Sequence, residues 1–213
     1  MKISQISSHN YRLNNNFAPR AKYTNTFNTA FKNMQIQDTV QFTGKTEGAK
    51  ARYESIVREN SNDSDYKEAT VYTQDINFLL DLDDEDFKKI IMKPVEYEDT
   101  AGRPSKSTIF FYTDALATEK LLNKLNDKKA AFEILKTQKD WCGTTALHTA
   151  AYANDPVKAE SILTAVNSDD KKALMKIEEI DDDAYSIAIM QQDRATLDVF
   201  KQYHNQIYRI NYK

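Results

Sequence analysis

Three histidines, one cysteine and two acidic runs are the groups in this 213-residue chain with the most evident capacity for chemistry. His9, His148 and His204 stand far apart, and none lies in a recognised nucleophile motif with a Ser or Cys. No general base therefore has a nucleophile to activate. Cys142 is the single cysteine, which rules out an intramolecular disulfide and a cage of several thiolates. Lys139 is the one nearby residue in sequence that would lower its pKa, so an ordinary thiol is the better reading. The run Asp81-Leu82-Asp83-Asp84-Glu85-Asp86 brings carboxylates close enough to converge on a hard cation, but it lacks the central Gly and the terminal bidentate Glu of a calcium loop. Negative charge at the start of a helix explains it better. Asp181-Asp182-Asp183 reads as a turn. With four Gly in the chain, a phosphate-cradling loop is not expected either. The expectation is no catalytic residue, no metal, no cofactor and no enzymatic activity.

The elements that carry these residues follow from composition. Hydrophobic residues make up 40% of the chain, and Gly and Pro number four each, which favours helices over a turn-rich sandwich or barrel. Charge is divided unevenly. Residues 1–60 hold nine Lys and Arg against four Asp and Glu, and 61–213 hold twenty against twenty-eight. An acidic folded part is a poor nucleic-acid surface. The N-terminus has no apolar stretch of the signal-peptide kind, and nowhere do about 18 apolar residues run together. A soluble, cytoplasmic monomer is expected, with export lacking a cleavable signal peptide as the alternative.

Residues 1–45 are rich in Asn, Ser, Thr and Gln and show neither apolar period. Such a segment buries too little apolar surface to offset about 1–2 kcal/mol of backbone entropy per ordered residue, so a disordered polar tail is expected. Its scattered basic and aromatic residues would allow stacking on single-stranded nucleic acid, but the charge density is low for that role. Residues 46–65 read as a short helix and linker, with Ala49, Tyr53, Ile56 and Val57 at helical spacing.

From residue 66 onward a pattern recurs. Asp99-Thr100-Ala101-Gly102, Asp140-Trp141-Cys142-Gly143 and Asp181-Asp182-Asp183-Ala184 begin 41 residues apart. Segments starting at Asp114 and Asp155 align at the same offset, and each Asp is placed to cap a helix. Pro156 suits a first helical position. Leu121-Leu122 and Ile162-Leu163 then face a neighbouring layer. Units this small bury their apolar faces only by stacking.

The best-preserved copy, Asp140-Trp141-Cys142-Gly143-Thr144-Thr145-Ala146-Leu147-His148-Thr149-Ala150-Ala151, resembles the ankyrin repeat signature. Ala184-Tyr185-Ser186-Ile187-Ala188 resembles the same run near the end of such arrays. In this reading Gly143 and Gly102 give the turns freedom, Thr145 caps a helix, Leu147 fills the core, and Ala150, Ala151 and Ala188 let helices approach closely. The resemblance implies that His148 ties adjacent turns together and that Asp99, Asp140 and Asp181 open the turns. Departures are plain: Ala146 replaces the proline, Arg103-Pro104-Ser105-Lys106 is an insertion, and the period exceeds the usual 33 or so. The added length reads as an extra helical turn near Asn126 to Lys136.

The expected fold is an all-α, ankyrin-like helical repeat solenoid over 66–213. The resemblance further implies a concave surface for an unidentified partner protein, with Lys139, Trp141, Thr144 and Tyr152 in contact. Trp141 is a natural interface anchor, with packing on the neighbouring repeat as its alternative. The function class is a non-catalytic interaction module. A secreted effector that binds a foreign protein stays open beside it.

Overall fold

In the computed structural model the described residues are 45–61, 68–139, 142–179 and 182–208, with backbone alone described for 204–208. The expected tail ahead of Lys45, with His9, lies outside them, as do Asp140, Trp141, Asp181 and the His204 side chain. Contacts divide the chain after Gln41, and every described residue belongs to the unit Phe42–Lys213.

The unit opens with helix α1, Lys45–Ser61, which buries Ala49, Tyr53, Val57 and Ser61. That four-residue spacing puts one face of the helix against the body. Helices α2 (Thr73–Leu80) and α3 (Asp84–Ile91) follow, the latter capped by Asp83, whose side chain accepts from Asp86 N–H at 2.8 Å. The acidic run is thus a helix start, as its charge pattern suggests.

Strands β1 (Val95–Glu98) and β2 (Pro104–Ser107) then pair antiparallel, Val95 opposite Ser107 and Glu98 opposite Pro104. A 3-10 turn, Ile109–Phe111, leads to α4 (Ala115–Leu125) and α5 (Lys128–Leu135). The next stretch holds α6 (Ala146–Tyr152), α7 (Pro156–Thr164) and α8 (Ser168–Met175). A two-residue pairing of β3 (Glu178–Glu179) with β4 (Asp182–Asp183) precedes α9 (Ala184–Gln191) and α10 (Arg194–Tyr208).

The described residues are mostly helical, as expected, with two short hairpins beside the helices. Arg103-Pro104-Ser105-Lys106 is not a loose insertion, because Pro104–Ser107 is a strand. In the copy around Asp99 the strand and the 3-10 turn occupy the place that α6 has in the next copy. The bulky run Ile109-Phe110-Phe111-Tyr112 is buried throughout, whereas α6 owes its close packing to Ala146, Ala150 and Ala151.

The recurrence is real at the caps but not constant. Asp114 and Asp155 lie 41 residues apart and cap α4 and α7 through Ala117 and Lys158 N–H. The caps of α6 and α9, Thr145 and Asp183, lie 38 apart. The length beyond two helices is also more than one extra turn: α5 and α8 are separate eight-residue helices. Asp127 starts α5 by accepting from Lys129 and Ala130 N–H.

Helices stack in two rows. In one row α4 packs on α2 and α7, and α7 packs on α10; in the other, α6 packs on the 3-10 turn and on α9. Leu121, Leu147, Ile162 and Phe200 are all buried between them. Full burial of each such side chain contributes about 1.5–3 kcal/mol. Asn126, Asn154 and Gln192 adopt positive φ at the ends of α4, α6 and α9, where a glycine-poor chain turns on side chains that tolerate the left-handed region only at some cost.

Candidate functional site

The geometry that bears on function lies where one turn meets the next. Lys139 and Thr144 face each other across the turn, with Lys139 N–H donating to Thr144 O at 2.6 Å. Gly143 sits between them at φ +89°, and a β-carbon there would come 2.7 Å from the backbone oxygen of Glu178. Only glycine fits, because the turn lies directly on strand β3.

The Thr144 hydroxyl donates to Glu179 Oε1 at 2.8 Å. Tyr152, half-buried at the end of α6, lies beside the same carboxylate, and burial together with Glu179 pushes its phenol up to about 12. Lys139 places its ammonium 5.1 Å from the centre of the Tyr112 ring.

These contacts hold two of the expected partner residues within the fold. Lys139 is 3% exposed and Thr144 is fully buried. Both make their contacts inside the fold. Tyr152 keeps part of its ring accessible, Cys142 is half-buried, and Trp141 lies outside the described residues.

His148 is fully buried. Its Nδ1 accepts from Thr145 N–H at 3.1 Å and lies 2.7 Å from the Thr145 hydroxyl, so the ring proton is on Nε2. Nε2 faces the backbone of Ile177 and Asp182 in the next hairpin without closing a hydrogen bond of good geometry. Burial brings the imidazole pKa down to about 4, against a smaller opposing influence of those backbone groups and of Asp183. A neutral imidazole locked in a helix cap is a structural device and not a free base.

The remaining signature residues have structural places too. Asp99 accepts from Ala101 and Arg103 N–H at 2.8 Å and closes the β1–β2 turn, with Gly102 at φ +73°. Leu147, Ala150, Ala151 and Ala188 are buried between helices.

Three features escaped the sequence reading. Ile189 and Met190, 49% and 56% exposed, form an apolar step on α9. Met190 occupies in α9 the place that Tyr152 holds in α6, counted from the caps Asp183 and Thr145. Glu179 belongs to no motif, and nothing in its local sequence marks it as the partner of Thr144. Lys158 is buried with its ammonium against backbone carbonyls, and here a signal existed: the 41-residue alignment pairs it with Ala117, an inward position.

Among the described residues, no group of three or more His, Cys, Asp or Glu is placed to hold a metal ion. Nor is any described helix long and apolar enough to cross a membrane. Comparison with protein-family models, with curated proteins and with solved structures finds no match to this chain.

Proposed function

We propose that the unit 42–213 is a non-catalytic protein-binding module built from divergent ankyrin-like repeats. The observation that carries this reading is the repeated order of paired turn, capped first helix and capped second helix in Lys139–Thr164 and Glu178–Tyr208, with α6 stacked on α9 and α7 on α10. The Thr145–His148 cap, which reaches from one helix start toward the next hairpin, has the form that the resemblance implies.

In this reading the partner surface lies on α6 and α9 and not on the turn residues Lys139 and Thr144. Tyr152, Ile189 and Met190 supply aromatic and flexible apolar contact at neighbouring positions, the kind of anchor that dominates many interfaces. Affinity capture from the native cell with the full chain, repeated with Tyr152→Ala and Met190→Ala, tests the reading. Loss of the captured protein in both variants at unchanged melting temperature supports it, and capture unaffected by either would move the surface elsewhere.

A further inference from the structure

A cavity of about 230 Å³ lies between the 3-10 turn, the α6–α7 loop and the segment ahead of α2, with Glu68, Thr113, Asn154, Asp155 and Lys158 in its wall. Lys158 is 4% exposed. Its Nζ donates to the backbone oxygens of Thr113 at 2.7 Å and Phe111 at 3.5 Å. No third acceptor for this nitrogen lies within hydrogen-bond distance among the described residues. A neutral amine has two N–H groups and one lone pair, and an ammonium has three N–H groups. The two carbonyls accept from either form, and the amine that has shed its third proton holds a lone pair beside the cavity.

Burial brings the Lys158 pKa down to about 8, against the opposing pull of Asp155 and Asp114. A desolvated lysine in a cleft is a nucleophile at pH values where surface lysines are almost wholly protonated.

We propose that Lys158 is a carbonyl-capturing amine, and that the cavity beside it admits a small neutral aldehyde which condenses with Nζ to an imine. The lone pair attacks the carbonyl carbon while the C=O π electrons move to oxygen, giving a carbinolamine. One proton passes from nitrogen to the alkoxide oxygen to complete the carbinolamine, a second is taken up from solvent as the hydroxyl leaves as water, and the remaining nitrogen lone pair forms C=N. No oxidant or reductant is consumed. The protonated imine retains one N–H, enough for the shorter bond to Thr113, and gives up the longer one to Phe111. Its positive charge stays near Asp114, Asp155 and Glu68. The same carboxylates disfavour an anionic aldehyde, which sets the ligand class as neutral. This inference is independent of the protein-binding reading.

The test is reductive trapping on the folded full chain with propanal and cyanoborohydride, read lysine by lysine through peptide mapping. At pH 8 an amine of pKa 8 is half neutral, whereas an ordinary lysine is neutral at about 0.4%. Lys158 is expected to be alkylated at least about 10-fold faster than exposed lysines such as Lys89, allowing for its restricted access. Its rate should level off above about pH 8, and unfolding in urea should erase the preference. With glyoxylate in place of propanal, Lys158 should lose ground relative to the exposed lysines. Alkylation of Lys158 no faster than theirs, or a rate that climbs to pH 10 without levelling, would overturn the proposal. Equal selectivity for the two aldehydes would overturn the neutral-ligand class.

Discussion

Thr144 Oγ1 donates to Glu179 Oε1 at 2.8 Å across 35 residues of sequence, so a turn in one helix pair is tied to the strand that opens the next. Both residues are buried. A hydrogen bond to a charged acceptor in such a place contributes about 1.5–3 kcal/mol, and removing the donor leaves the carboxylate undersatisfied.

Thr144→Val keeps the shape of the side chain and deletes the donor, and is expected to lower stability by about 1–3 kcal/mol in urea unfolding. An unchanged midpoint would mean that this hydrogen bond contributes nothing net to the stacking of the hairpins.

The Gly143 turn should be still less tolerant. Valine there adds a β-carbon at positive φ and drives it into the Glu178 carbonyl, 2.7 Å from its ideal position. The φ strain alone costs about 1–3 kcal/mol, and the close approach adds to it. Gly143→Val melting at the wild-type temperature would contradict the geometry of this contact.

Stability should fall in acid because of His148. Its folded pKa of about 4 lies below the ordinary value of 6.5, so the unfolded chain binds the extra proton between those limits. The stability is present above pH 6.5 and is lost as pH falls toward 4, at up to about 1.4 kcal/mol per pH unit from this group. Urea midpoints at pH 7 and pH 4.5 should therefore differ less in His148→Asn than in the parent chain. Equal differences would show that His148 does not govern the acid sensitivity.

Core and surface positions in the same helices should separate. Leu147 is buried in α6, and Leu147→Ala is expected to cost about 2–5 kcal/mol. Met190→Ala on exposed α9 surface should change stability by less than about 0.5 kcal/mol. A large loss of stability in Met190→Ala would identify the residue as packing instead of contact surface.

Much of the helical framework was legible from local chemistry. Asp114, Asp155 and Pro156 mark helix starts because a carboxylate satisfies unpaired N–H groups within three residues of itself, and the four-residue apolar spacing from Ala49 to Val57 marks a buried helix face. These terms act over a single turn, so they are written into neighbouring residues.

The 41-residue spacing does not carry through to every helix cap, since α6 and α9 are capped 38 residues apart, and α5 looked like one added turn because a short helix with few apolar residues carries a weak period. The strand at Pro104–Ser107 was hidden because it is held by pairing with Val95–Glu98 and not by its own β propensity.

The sequence by itself determined where the helices start, which faces are apolar, and that Gly143 and His148 belong to one structural unit. Tertiary structure decided which polar side chains are spent inside. Thr144 looks like an exposed turn residue until Glu179 of the next hairpin meets it, Lys139 until its ammonium reaches the Tyr112 ring, and Lys158 looks like an exposed helical lysine until α7 docks on the carbonyls of Phe111 and Thr113. The partners in these contacts lie 27 to 47 residues away in sequence. Burial of that kind is a property of stacking, in which the desolvation of a polar group is set by whatever element arrives above it.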